Sequence, residues 1–143
     1  MAGDVLPDPA TAFGQRVRAR LEHERVVWLT TAGADGTPQP NPVWFVWAGD
    51  GFLVYNAVHA KRLSHIRDRP QVSLNFDSDG QGGDIVVFRG LARPVDPHPG
   101  PHENPSYVAK YGDAMTRISG SLEAFGEAYP HAVHITVRGV RGF

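Results

Sequence analysis

The stretch Pro38–Ala48, PQPNPVWFVWA, decides how the rest of the chain is read. Val43, Phe45 and Trp47 alternate against Trp44 and Val46, which is the period of a strand, yet both faces are apolar. Such a strand is buried on both sides or faces a ligand on one. Prolines at 38, 40 and 42 cannot donate to a ladder, so the first half belongs at a sheet edge or beside a groove. Prolines on an edge also protect it from pairing with other chains, and that structural use is equally open.

Outward from this stretch the strand pattern continues. Upstream, Val26 to Thr31 (VVWLTT) is β-branched and aromatic and ends at the turn signal Ala34-Asp35-Gly36. Downstream, Asp50-Gly51 makes a tight hairpin into Phe52–Asn56 (FLVYN). Residues 58–69 switch to helical spacing, with Val58, Arg62 and Ile66 on one stripe, Leu63 beside it, and Pro70 as the stop. Val72–Phe76 is a short strand, and a Gly/Asp loop from Asp77 to Asp84 leads into a strand over Ile85–Val95 with Gly90 as a bulge. Asn104-Pro105 caps a short helix through Tyr107, Val108 and Tyr111 that Gly112 closes, and a further helix runs from Ser121 to Tyr129. The chain finishes with the strand Ala132–Val137 and the tail Arg138–Phe143. At the other end, Asp8 caps a helix with Pro9 in its first turn and Phe13, Val17 and Leu21 on its inner face; Arg16, Arg18, Arg20 and Glu22 form the solvated face.

Six strands joined by hairpins and one short helix do not suit a parallel sheet, whose crossovers need a dozen residues or more. The expected fold is mainly β, an antiparallel barrel with helices at its margins. One domain over 1–143 is expected, with an N-terminal helix over 1–24 and the barrel with its peripheral helices over 25–143. The net charge is −1, so nothing global points to nucleic acid or a membrane surface, and recognition must rest on local clusters. The chain has no cysteine, which excludes disulfides, thiolate metal sites and cysteine nucleophiles and fits a reducing cytoplasm. Met1 to Ala12 lacks the basic region and apolar run of a signal peptide, and no apolar stretch reaches the roughly 20 residues of a membrane span. A cytoplasmic location is the expectation.

The informative chemistry lies in 59–69, where Lys61, Arg62, Arg67 and Arg69 face only Asp68. Lys61 and Arg62 fall in the first turn of the expected helix, where the macrodipole disfavours cations. An anion bound there reverses the sign, since unpaired N–H groups, an ammonium and a guanidinium then converge on one phosphate. Solvated surface cations are the alternative of equal weight. Arg67 and Arg69, near the helix end, already suit the dipole.

The order of elements is similar to that of the pyridoxamine 5′-phosphate oxidase-like split-barrel superfamily, the flavin/deazaflavin oxidoreductases. A strand carries Gly36-x-Pro38-x-x-x-Pro42, a hairpin leads to a strand ending Tyr55-Asn56, and Lys61-Arg62 opens a helix before Pro70 and a further strand. Asp35–Phe45, Val72–Asp77 and Gly82-Gly83-Asp84 resemble the actinobacterial branch that uses the deazaflavin coenzyme F-420. Arg141-Gly142-Phe143 resembles the Arg-Gly-Trp ending of the superfamily, with Phe in place of Trp. The resemblance implies an FMN-binding split barrel of six antiparallel strands and a homodimer with cofactor sites at the interface. It implies that Lys61 and Arg62 grip the cofactor phosphate with Asn56 beside it. Asn41, Pro42, Val43 and Trp44 then lie along the ring, and Arg141 and Phe143 reach the ring of a second protomer. Phe143 packing its own terminus is the equal alternative.

On that resemblance the expected activity is hydride transfer between reduced F-420 and a small conjugated or planar substrate. The alternatives are an FMN-dependent oxidase or reductase, and a flavin- or deazaflavin-binding protein without turnover. No catalytic residue is singled out; Tyr55, His59 and Tyr107 are candidate proton donors. His59 is also a candidate contact to phosphate or substrate. No metal site is expected: prolines around His98 and His102 prevent a helical pair, and His131 and His134 fall on opposite faces of a strand. Asp77-x-Asp79-Gly80 reads as a turn rather than a calcium loop.

Overall fold

The computed structural model describes residues 4–143; the part of the signal-peptide and N-terminal-helix readings that concerns residues 1–3 lies outside them. The first helix, α1, covers Ala12–His23. Its cap is Thr11, whose Oγ1 accepts from the Gly14 N–H, and not Asp8. Asp8 instead folds the preceding turn on itself, accepting from the Ala10 N–H at 2.8 Å and offering its carbonyl to Thr11. A threonine with extended backbone next to the first helical residue satisfies an orphan N–H, so it wins the cap. Val17 and Leu21 are buried as the periodicity requires.

The strands are β1 (Val27–Ala32), β2 (Pro38–Val43), β3 (Val46–Trp47), β4 (Gly51–Asn56), β5 (Gln71–Asn75), β6 (Val86–Val95) and β7 (His131–Gly142). Among the described residues there are thus seven strands rather than six, in one antiparallel sheet of order β2-β1-β5-β6-β7-β4-β3. The extra strand arises because Pro38–Ala48 does not stay one strand. β2 pairs with β1 at one edge, β3 pairs with β4 at the other, and only Trp44 and Phe45 separate them. Two residues span both edges of the sheet only if it curls until the edges meet, which is the half-closed barrel.

The prolines explain the edge. Pro38, Pro40 and Pro42 oppose Ala32, Thr30 and Trp28 of β1. Alternate residues share one direction, so all three missing N–H groups fall on the side away from β1 and the ladder survives. β6 carries its register shift between Arg89 and Gly90, as the expected bulge does. β7 is longer than expected: the tail through Gly142 pairs with β6 as far as Val86.

The helix expected over 58–69 is α2, Lys61–Asp68; Val58 is exposed and precedes it, while Ile66 is buried. Asn104 does cap the next helix, α3, but Gly112 lies within it and the helix runs over Pro105–Ser119 to Gly120, whose φ is +90°. One glycine costs about 1 kcal/mol inside a helix, which the buried stripe Tyr107, Tyr111, Ala114 and Met115 outweighs. Ser121 caps α4, Leu122–Ala128. Phe45, Phe52, Phe76 and Phe88 pack edge to face or tilted inside the barrel. Tyr55, Tyr107, Tyr111 and Phe125 form a second core under α3 and α4.

The arginines of α1 are not simply solvated. Arg20 is 14% exposed and bonds Glu24, the carbonyls of Asp77 and Asp84, and the Asp84 carboxylate, tying the 77–84 loop to α1. Within that loop Asp79 accepts from the N–H groups of Gln81 and Gly83, the expected turn. Among the described residues, no helix is long and apolar enough to cross a membrane.

Candidate cofactor site

The site is built where β4 hands over to α2. Asn56, the last residue of β4, is 1% exposed. Its Nδ2 donates to the carbonyls of Val54 (3.2 Å) and His131 (3.0 Å), and its Oδ1 accepts from Arg62 Nε. A single amide thus closes the β4–β7 end and orients a guanidinium. Asn56 thereby holds Arg62, the residue expected to grip the phosphate.

Ala60 precedes α2 and offers no side chain to cap it. The Leu63 N–H bonds the Ala60 carbonyl at 3.1 Å, and the N–H groups of Lys61 and Arg62 are left for another acceptor. Burial disfavours the charge on Arg62, and among the described residues no carboxylate within 4 Å compensates it. Its Nη groups and the Lys61 Nζ make no hydrogen bond to described residues. A half-buried cation without an acid partner is arranged for an anion from outside the protein. These residues fit a phosphate-bearing group.

Two cavities meet at Arg62. A basic cleft of about 420 Å³ is lined by Gln39, Asn41, Ala60, Lys61, Arg62 and His65. An aromatic cavity of about 210 Å³ is lined by Pro42, Val43 and Trp44 on one side, and by Tyr55, Tyr107, Phe125 and Tyr129 on the other, with Arg62 at its rim. The Trp44 indole is held between Tyr111 (4.5 Å, interplanar angle 1°) and Phe125 (5.6 Å, 12°). An aromatic-lined cavity beside a cationic cleft suits a planar ring carrying a phosphate arm.

Lys61, Arg62 and Asn41 are therefore brought together in the basic cleft, Pro42, Val43 and Trp44 in the aromatic cavity, and Asn56 holds Arg62, which borders both. His59 is not in the basic cleft. It lines a separate cleft of about 550 Å³ with Arg67, His98 and His131, which Lys61 also borders. Arg69 is structural, donating to the Ala32 carbonyl at 2.8 Å. Arg141 and Phe143 lie at the other end of β7 from His131, which opposes Asn56. Neither residue lines the basic cleft or the aromatic cavity. Phe143 is 70% exposed.

Gln39 and His65 were missed. Both had a signal: Gln39 is two residues from Asn41 on the same strand face, and His65 is one helical turn from Lys61. His65 Nδ1 lies 2.9 Å from the buried Thr31 Oγ1, which fixes its ring. Phe125 and Tyr129 carried no signal, since only the return of α4 over the barrel brings them to Trp44.

Residues 13–142 match the pyridoxamine 5′-phosphate oxidase family, and the chain belongs to it. Its members bind flavin-type cofactors. No curated protein matches the sequence. Among solved structures, a conserved hypothetical protein of Mycobacterium tuberculosis has a TM-score of 0.71 at 21% identity, covering 99% of this chain and 87% of that one. An F420 reductase has a TM-score of 0.64 at 22% identity, covering 87% and 94%. The heme storage protein HutZ of Vibrio cholerae has a TM-score of 0.62 at 14% identity, covering 90% and 92%. At these identities the likeness is one of fold.

Proposed function

We propose that this member of the pyridoxamine 5′-phosphate oxidase family is an oxidoreductase passing a hydride between reduced coenzyme F-420 and a small conjugated, planar substrate. The observation that carries the reading is Arg62, which borders both the basic cleft and the aromatic cavity. Lys61 and Arg62 hold the phosphate, Asn56 sets the guanidinium, and Pro42–Trp44 with the tyrosines receive the ring. The bound cofactor supplies the hydride. The protein's part is to fix ring, phosphate and substrate in register and to exclude water. The choice of F-420 is supported by the resemblance of Asp35–Phe45 to the deazaflavin branch and by the F420 reductase among the structural neighbours.

The site is proposed to work as a homodimer in the cytoplasm. A cavity of about 210 Å³ falls below the roughly 300–1,000 Å³ of small-molecule sites, so a second chain would complete its walls. Arg141 and Phe143, exposed and outside the lining of both cavities, are proposed to serve the partner's site.

The test is a titration of the purified apoprotein with F-420 and FMN side by side. Tighter binding of F-420, with hydride transfer to a quinone acceptor, supports the reading. Tighter FMN binding makes the protein an FMN enzyme, and binding without transfer makes it a carrier. Lys61→Ala/Arg62→Ala is expected to lose both ligands; wild-type affinity in that variant would remove the phosphate grip.

A further inference from the structure

In the aromatic cavity the Tyr107 hydroxyl, like the half-buried Tyr129 hydroxyl and the Arg62 Nη groups, has no hydrogen-bond partner among the described residues, and of the two phenols Tyr107 is the one buried in the core. Tyr107 is 2% exposed, its ring held edge-on by Tyr55 at 4.9 Å and tilted against Tyr111 at 4.8 Å. Its backbone N–H is satisfied by Asn104 Oδ1 at the start of α3, but its hydroxyl bonds no described residue. The phenols of Tyr55 and Tyr111 are committed. Tyr55 Oη accepts from Asn104 Nδ2 and donates to the Pro99 carbonyl. Tyr111 Oη accepts from the Phe45 N–H and donates to the Arg25 carbonyl at 2.6 Å. The Tyr107 hydroxyl is not among the sealed, unpaired side-chain atoms either, so it opens to the cavity. Leaving a buried hydroxyl unpaired is costly, and a phenylalanine would pack as well.

Resting on the functional reading above, we propose that the Tyr107 hydroxyl donates a hydrogen bond to a carbonyl oxygen of the cofactor's planar ring and so is a ring-binding residue. With the phosphate at Lys61 and Arg62, the aromatic cavity is the apolar space next to it, and Tyr107 faces that space from α3. Flavin and deazaflavin rings both carry carbonyl acceptors. Burial, together with the nearby Tyr111, Tyr55 and Tyr129, raises the Tyr107 phenol well above its usual range, so it remains a donor at any working pH. Reduction increases electron density on the ring carbonyls. A preorganised donor there holds the reduced ring more tightly than the oxidised one.

Tyr107→Phe removes only the hydroxyl. Thermal unfolding of the apoprotein is expected to be unchanged or raised; a fall would show a protein partner and overturn the proposal. Anaerobic titration with oxidised and reduced FMN, and with oxidised and reduced F-420, is expected to show a tenfold larger loss for the reduced forms. For a two-electron couple that is a shift of about 30 mV to more negative potential. Equal affinities in variant and wild type for both redox states overturn the proposal while leaving the functional reading intact. If the wild type binds neither cofactor, the two fail together.

Discussion

Arg62 is held by Asn56: the amide oxygen of the last β4 residue takes the guanidinium Nε, while the amide nitrogen ties β4 to β7 through the His131 carbonyl. Orientation of the cation and closure of this sheet end therefore rest on one side chain.

Asn56→Ala should damage both at once. The buried Val54 carbonyl, the part-buried His131 carbonyl and the Arg62 Nε lose a partner, at about 1–3 kcal/mol of stability by urea unfolding. Cofactor affinity should fall about tenfold, since Arg62 is no longer aimed. Asn56→Asp should lower affinity further while partly neutralising Arg62, which isothermal titration would show.

Tyr111→Phe keeps the stacking on Trp44 but strips the hydroxyl that receives the Phe45 N–H where the chain crosses between sheet edges. A buried N–H left unpaired costs about 1–3 kcal/mol in urea unfolding. The site should loosen with it, because Trp44 precedes Phe45.

As far as these two groups go, stability should peak near pH 10. Burial, then Arg25, lowers Lys110 to about 8, so between pH 8 and its unfolded value near 10.5 the unfolded chain binds more protons and stability rises with pH. Burial raises Tyr111 to about 12, so above pH 10 the folded chain binds more protons and stability falls. Lys110→Met should flatten the rising limb and Tyr111→Phe part of the falling one, read from denaturation midpoints against pH.

Gly51→Ala should be among the most damaging single changes on β4. A Cβ there would stand 2.0 Å from the Ile135 carbonyl oxygen, and backbone on both strands would have to part. About 3 kcal/mol is expected, the upper end for an overpacked core.

Phe143→Asp should leave the fold of a single chain intact, because the side chain is exposed. On the dimer reading it should shift sedimentation toward monomer and weaken cofactor binding together. Unchanged sedimentation with unchanged affinity would remove the tail from the site.

Local chemistry made much of this protein legible in one dimension. The Pro38–Pro42 edge, the Gly90 bulge, the Asn104 cap and the Lys61-Arg62 pair each follow from a residue's own backbone or charge. The tertiary structure alone decided where the long stretch breaks. Trp44 and Phe45 leave the ladder because the sheet closes there, and their apolar alternation is the same whether or not it does. It alone decided that Tyr107, Phe125 and Tyr129, on helices far along the chain, wall the slot beside Trp44. Burial and partnering are properties of packing: the hydroxyls of Tyr107 and Tyr111, four residues apart on one helix, end with opposite fates, one open to a cavity and one spent on the backbone.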